Sequence, residues 1–455
     1  MQFIRIGIFL LSLCYALHSQ AQQWTSLMWD DLLKDWTVRG GLSTFTAKDG
    51  VITAHCIDNS QNTFLCTNAE YQDFILEFEI LVDSALNSGV QIRSHSSPGY
   101  QNGRVHGLQV EVDPGPRKFS GGIYDEGRRL WLYPTSLNPD CRSAFRNGIW
   151  NSFRVEATGN RIRTLVNGVP CANLVDEFSE SGFIALQAHA VYHDADIGKT
   201  VQWRNIRIMT SDIERYLTPT IAPEQSYLVN QLTPIEKAMG WKLLWDGNTT
   251  NGWRGARSEQ FPDHGWVIRD GNLTIEGTSG RESAGPGDII TRDQYANFIL
   301  ELEFMITAGA NSGIKYFVDP ELNKNAGSAI GCEFQILDDQ NHPDAKLGVN
   351  GNRTLASLYD LITAENYSLP GRSKQFKGIN QWNKAMIISK NGKVEHWLNN
   401  EKVLEYDRFS HMFRALVAYS KYKQWPGFGQ WPKGHILLQD HGHTVHFRSI
   451  KILEL

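Results

Sequence analysis

Short runs in which apolar and polar residues alternate fill most of this chain. FILEFEILV from Phe74, HGLQVEV from His106, FRVEAT from Phe153, FILELEFMI from Phe298, GCEFQIL from Gly331, KVEHWL from Lys393 and VHFRSIKIL from Val445 all carry the period of two that marks a strand with one buried face. Turn chemistry closes these runs: Thr-Gly-Asn at 158–160, Asn-Gly at 167–168, Lys-Asn-Gly at 390–392, and two Asn-Ser-Gly triplets, at 87–89 and 311–313. Many strands with little 3.6-residue periodicity predict an all-β sandwich. The helical signal sits mid-chain, between Ser211 and Gly240, where Pro219, Pro223 and Pro234 break up the segment and Thr233-Pro234-Ile235-Glu236 has the form of a helix start.

The pattern repeats. YQDFILEFEILVDSALNSGVQ from Tyr71 aligns without a gap on YANFILELEFMITAGANSGIK from Tyr295, a displacement of 224 positions. The same displacement lays HGLQVEVD, from His106, on IGCEFQIL, from Ile330. WNSFRVEATGNRIRTLVNG from Trp150 then pairs with WNKAMIISKNGKVEHWLNN from Trp382, and GFIALQAH from Gly182 with GHILLQDH from Gly434. The order of blocks is identical, so two tandem sandwich domains are expected: residues 22–212, a linker with a short helix over 213–240, and residues 241–455.

Length agrees, since 455 residues exceed one ordinary core. A net charge of -5 with no basic stripe argues against nucleic acid as a partner. The first 21 residues combine Arg5, an apolar run from Ile6 to Leu17 and a small-residue site at Ala21, the pattern of a secretory signal, which predicts a secreted or periplasmic protein. Leu13 before Cys14 speaks against a lipoprotein site, and no apolar run is long enough to be a transmembrane helix. In an oxidising compartment, Cys56 with Cys66 and Cys141 with Cys171 are candidate disulfides, with Cys332 left as a buried thiol.

The strand at 331–337 carries Cys332, Phe334 and Ile336 on one face and Glu333 and Gln335 on the other. In the first copy Gln109 and Glu111 take those positions, so each copy keeps one carboxylate and one amide, in swapped order. A solvated face has no need of that pair, which favours a ligand groove over plain exposure.

LWDGNTTNGW from Leu244, EFQILDDQNHPDA from Glu333, GNRTLASLYDLI from Gly351, WNKAMIISKNGKVEHWLNN and GHILLQDHGHTVHFRSIKI resemble, in order, the blocks of the 3-keto-disaccharide hydrolase family, and the first half resembles another branch of it through NSGVQIRS, GLQVEVD, GGIYDEGRR and SGFIALQAH. The resemblance implies tandem concanavalin A-like jelly-roll domains acting on an oxidised glycan or plant-type glycoside, a small-molecule substrate carrying a ketone at C3. Such a ketone acidifies the C2 proton and leaves the C1 oxygen β to the carbonyl, so elimination needs a base, an acid and a group to hold the enolate charge.

His441 and His189, each following a paired Gln (Gln439, Gln187), are candidates for proton transfer, with Glu333, Asp338 and Glu111 as candidate catalytic carboxylates. Gln335, Gln109, Lys315, Arg93, Tyr359, Tyr124, Glu126 and Arg128 lie in the resembling motifs and are candidate sugar contacts. Trp425 and Trp431 sit in a Gly- and Pro-rich loop that could close over a sugar or pack onto the sandwich. No cofactor is required by this scheme. Asp338, Asp339 and His342 could hold a divalent metal, although Asp-rich strand ends more often form turns. Two other functions stay open: a conventional glycoside hydrolase, since Glu111-Val112-Asp113 resembles part of the catalytic strand of laminarinase-like jelly rolls but lacks the third acid expected after it, and a carbohydrate-binding protein without catalysis.

Overall fold

A computed structural model describes residues 24–28, 31–57, 61–193, 196–280, 287–323, 327–367 and 371–455; the signal sequence and Cys14 lie outside these residues. Among the described residues the strands form four sheets, two in each half of the chain. In the first half a nine-stranded sheet, centred on Phe74–Val82 between Asn151–Thr158 and Thr200–Met209, packs against a seven-stranded one. In the second half an eight-stranded sheet, centred on Phe298–Ile306, packs against a five-stranded one that runs Trp253–Gly255, Ile289–Thr291, His435–Leu438, Asn311–Asp319, Ile330–Leu337. The expected jelly-roll sandwiches are therefore present.

Alternation decides which side chains fill each core. Phe74, Leu76, Phe78 and Ile80 point inward from one sheet and Val90, Ile92, Leu108 and Val110 from the other. Phe298, Leu300, Leu302 and Phe304 do the same in the second half, against Ile314, Tyr316, Phe334 and Ile336. Hairpin turns form where the sequence places Asn-Gly: Asn391 and Gly392 both have positive φ between strands ending at Lys390 and beginning at Lys393, and Asn167 and Gly168 repeat the arrangement.

The Asn-Ser-Gly triplets, by contrast, are not turns. Ser88–Gly89 and Asn311–Ser312–Gly313 open strands, and neither glycine has positive φ. The linker adds the Gln225–Ser226 strand to the first half in parallel and then forms the Pro234–Met239 helix, where the Thr233 hydroxyl accepts from Glu236 N and the Glu236 carboxylate accepts from Thr233 N. The halves touch through this linker: Asn400 Nδ2 donates to Leu132 O and to Tyr227 Oη, both at 2.8 Å. A second helix, His411–Tyr419, has no counterpart in the alternating pattern. Its Phe413 stacks on Tyr406 at 5.3 Å, and it leads into the Lys421–Gln424 turn.

Cys141 and Cys171 are disulfide-bonded, with Cα atoms 4.9 Å apart. The expected Cys56–Cys66 bridge is absent, because Cys56 belongs to the core between the sheets while Cys66 belongs to a separate cluster with Phe64, Val105 and Phe183. Burial pushes the Cys56 thiol up to about 11 and those of Cys66 and Cys332 up to about 12. A chain lacking residues 1–21 should thus show no thiol reactive toward an aromatic disulfide reagent at pH 8 while folded, and three after unfolding without reductant. More than three would mean that the Cys141–Cys171 bridge is open.

Candidate functional site

The opposite faces of the inner strands line a cavity in each half. In the second half, antiparallel register sets Gly313 against Gln335 and Lys315 against Glu333. A Cβ at Gly313 would collide with the Glu333 carboxylate, so the glycine is what lets that side chain lie flat across the neighbouring strand. Gly89 does the same for Gln109, where a Cβ would come within 2.5 Å of the amide carbon. The serine before each glycine ties the third strand in: Ser312 Oγ donates to Gln439 O and Ser88 Oγ to Gln187 O, both at 2.8 Å. The repeated triplet is thus a device for the cavity floor.

The second-half cavity, of about 220 Å³, brings together Glu333, Gln335, Lys315, Gln439, His441 and Tyr359, all proposed from the sequence. Cys332, Phe334 and Ile336 face the core, as the alternation required. Asn311, Lys421 and Tyr422 also line it, as does Trp425, and sequence reasoning missed these first three. Lys421 and Tyr422 come from the turn after the second helix, an insertion with no first-half partner. Asn311 could have been found from its place in the shared triplet.

Glu333 is buried with its Oε2 3.8 Å from Lys315 Nζ. Burial raises its carboxyl above the ordinary range, and Lys315, Lys421 and His441 work against that rise. Burial also lowers the Lys421 ammonium, opposed by Glu333; its Nζ lies 4.3 Å from the centre of the Tyr359 ring. Lys315 Nζ donates to Ser328 Oγ and, at 3.2 Å, to Ala329 O, while Ser328 Oγ donates to the buried Asp288 carboxylate. Gln335 Oε1 and Gln439 Oε1 are buried in the cavity wall with no partner among the described residues, acceptors that a hydroxyl-bearing ligand would satisfy.

The first-half cavity, of about 420 Å³, is lined by Gln109, Glu111, Tyr124, Glu126, Gln187 and His189, again all proposed from the sequence. Its electrostatics differ. Gln91 stands where the second half has Lys315, and an amide chain runs from Ser94 Oγ to Gln91, from Gln91 Nε2 to Gln109 at 2.7 Å, and from Gln109 Nε2 to Glu111 at 2.9 Å. Asn87 Nδ2 donates to the other Glu111 oxygen at 2.8 Å. Burial pushes the Glu111 carboxyl up to about 7, against Arg117 and these two amides, with Asp113 adding to the rise. His189 is lowered by burial, and its Nδ1 hydrogen-bonds the Ala190 carbonyl.

Several candidates lie elsewhere. Arg93 sits at a register shift with φ +45°, which turns it out of the alternation; buried, it donates to Gln72 O, Gly159 O, Ser179 O and Asp73. Arg128 is held by Asp125 at 2.6 Å and by Ser179 Oγ, outside the first cavity. Asp338 is a turn cap: despite its burial, donation from Gly309 N, Asn341 and Gln340 N holds its carboxyl below the usual range. Asp339 accepts from Leu355 N and Lys374, and His342 Nδ1 accepts from Asp344 N, so these three do not converge as metal ligands. Among the described residues no cluster of three His, Cys, Asp or Glu side chains is arranged to hold a metal. Trp431 packs on Phe428 at 6.1 Å instead of lining the cavity. Asp113, the second acid of the glycosidase-like pair, is occupied by Gly115 N and by Arg117 Nε, each at 2.9 Å.

Because Glu111 binds its proton more tightly folded than unfolded, the native state gains from protonation below about pH 4.5, and this gain is lost as pH rises to about 7. The contribution is on the order of 3 kcal/mol. Glu111→Gln should flatten the fall in denaturation midpoint across that window, measured by urea titration at a series of pH values; an unchanged slope would place the proton elsewhere.

Residues 23–209 and 240–453 each match the sequence profile of the 3-keto-alpha-glucoside-1,2-lyase-like domain. A 3-keto-disaccharide hydrolase of Bacteroides thetaiotaomicron is 38% identical over 239 residues, covering 48% of this chain and 79% of that protein. A crystal structure from Parabacteroides distasonis, provisionally described as a glycosyl hydrolase, is 30% identical, covers 50% of this chain and 99% of that one, and superposes with a TM-score of 0.44. The carbohydrate-binding module CBM66 of Bacillus subtilis is 14% identical over 38% of this chain and 93% of its own, with a TM-score of 0.26.

Proposed function

The chain belongs to the 3-keto-alpha-glucoside-1,2-lyase-like family in both of its halves, and from that premise we propose that its second-half cavity cleaves glycosides oxidised at C3. The observation that carries the reading is the desolvated Glu333 carboxyl flanked by Lys315 and Lys421, within one cavity that also holds His441. Elimination asks for such a set of groups, with acid, base and cations in a site that excludes water.

In this scheme His441 takes the C2 proton. The C2–H electron pair becomes the C2=C3 bond of an enolate whose oxygen is held by the Lys315 and Lys421 ammonium groups. The enolate then collapses, the C1–O bond breaks, and Glu333, kept protonated by its burial, gives its proton to the departing oxygen. Water adds across the resulting C1=C2 bond to complete net hydrolysis. Tyr359 and Trp425 supply the apolar wall on which a sugar ring would rest, and the unpartnered Gln335 and Gln439 carbonyls accept its hydroxyls. The protein acts outside the cytoplasm, in keeping with its N-terminal signal pattern.

Turnover of a 3-keto-glucoside with none of the unoxidised glucoside is the expected result, and substrate deuterated at C2 should react more slowly or lose its label to solvent. Full rate with retained label and no isotope effect would reject elimination in favour of direct displacement. His441→Ala and Glu333→Gln should each lower kcat on the order of 10²- to 10⁴-fold; a loss under about tenfold removes that residue from proton transfer.

The pH profile supplies a separate check. As an acid, Glu333 must be protonated, so the rate should fall as pH rises through its raised pKa. Lys315 holds that pKa down. Lys315→Met should therefore shift the basic limb to higher pH as well as reduce the maximal rate; a shift to lower pH would be the wrong sign for this assignment.

A further inference from the structure

The first-half cavity keeps the floor of the second-half one but not its cations. Glycine, serine and the Gln-x-His pair recur at matching positions, yet Lys315 is replaced by Gln91, whose amide is already bonded to Gln109, and nothing lining the first cavity corresponds to Lys421. An enolate formed there would lack the two ammonium groups that hold it in the second. The charges that are present pair with each other: Arg104 meets Glu126 at 2.8 Å, and Arg117 meets Asp113 at 2.9 Å and Glu111 at 3.6 Å. The floor of the site therefore offers a ligand no uncompensated charge, and Arg372 at the mouth is left as a donor.

It does make a demand for hydroxyl donors. Gln187, buried at 1% exposure in the cavity wall, has its side-chain carbonyl without a partner among the described residues, the counterpart of Gln439 in the other half. Leaving such an acceptor dry costs free energy that a ligand hydroxyl would recover. Trp131 and Tyr124, 5.1 Å apart edge to face, give the cavity an aromatic side against which the C–H face of a sugar can pack.

The cavity is also finished by the other half of the chain. Arg372 and Gln375 line it, although their backbone is fastened to the second half: Lys374 Nζ donates to Thr354 Oγ1 at 2.9 Å and to Leu355 O at 2.6 Å, and Asn399 Nδ2 donates to Gln375 O at 2.6 Å. Arg372, exposed and in the cavity lining, is placed to donate to ring or linking oxygens of a sugar.

We infer that the first-half cavity is a second, non-cleaving site that binds an unoxidised neutral glycoside, with Gln187 and Glu111 accepting its hydroxyls and Arg372 of the second half closing over it. This rests on the carbohydrate reading of the fold but not on the elimination mechanism. The two cavities then differ in what they select: two lysine ammonium groups beside the sugar suit a ketone in one, while the Gln187 acceptor and the paired charges of the floor suit a hydroxyl in the other.

The test is calorimetric titration of the full chain carrying Glu333→Gln with the α- and β-methyl glucosides, which carry no ketone and are not consumed. One equivalent should bind, weakened about tenfold or more by Trp131→Ala and by Arg372→Ala, and not by Trp425→Ala in the second cavity. Because Arg372 is exposed, its loss should leave the melting temperature unchanged, which keeps the result readable even if Trp131→Ala fails to fold. No binding of either anomer, binding sensitive to Trp425→Ala but not to Arg372→Ala, or preference for a methyl glucuronide over both neutral glucosides would each overturn the proposal. Failure of the elimination scheme would show separately, as absent turnover of the 3-keto-glucoside by the unmodified protein.

Discussion

A glycine that leaves room for the side chain of the next strand is the constraint on which both cavities depend. On a pleated sheet, directly opposed residues in a pair sit close enough to compete for the same space above the backbone. At Gly313 and Gly89 that competition is removed, and the Glu333 carboxylate or Gln109 amide lies across the adjacent strand. The polar group is thereby drawn into the sheet surface and loses solvent. Burial then does the electrostatic work: it raises Glu333 and Glu111 and lowers Lys421 and His189.

From one shared floor, the two halves diverge by a small rearrangement. Moving the carboxylate by one pleat, from 333 to the equivalent of 335, exchanges its neighbours. Glu333 meets an ammonium across the strand pair, whereas Glu111 meets amides that donate to both of its oxygens. A carboxyl against cations is coupled to charge that develops elsewhere in the cavity; one that takes a single amide at each oxygen keeps a lone pair on each for a hydroxyl. The insertion that carries Lys421, Tyr422 and Trp425 completes the contrast, because it gives the second cavity a wall that the first lacks.

The halves are also joined by more than sequence. Tyr227, from the linker, is partly buried where Asn400 bonds both it and the Leu132 carbonyl, and the 371–376 segment crosses from the second half to the mouth of the first cavity. Tandem duplication here has let residues of the second half shape the site of the first.

Much of this was written in the sequence. Period-two alternation fixed which residues of 331–337 face the core and which face the cavity, since each strand residue has only two sides to choose from. The repeat showed where to look for equivalent groups, and Glu333, Gln335, Gln439 and His441 do converge, as do Gln109, Glu111, Gln187 and His189. What alternation cannot encode is a break in its own period: the register shift at Arg93 sends that side chain to structural carbonyls, and a strand end turns Asp338 into a cap. Nor can a local pattern say that Asn-Ser-Gly opens a strand instead of a turn, because the reason lies in a side chain some twenty residues away. Lys421 and Arg372 reach their cavities through loops whose paths are set by anchoring contacts distant in the chain. Strand faces are a property of neighbours in sequence; the charge balance of each cavity is a property of neighbours in space, and only the tertiary structure decides it.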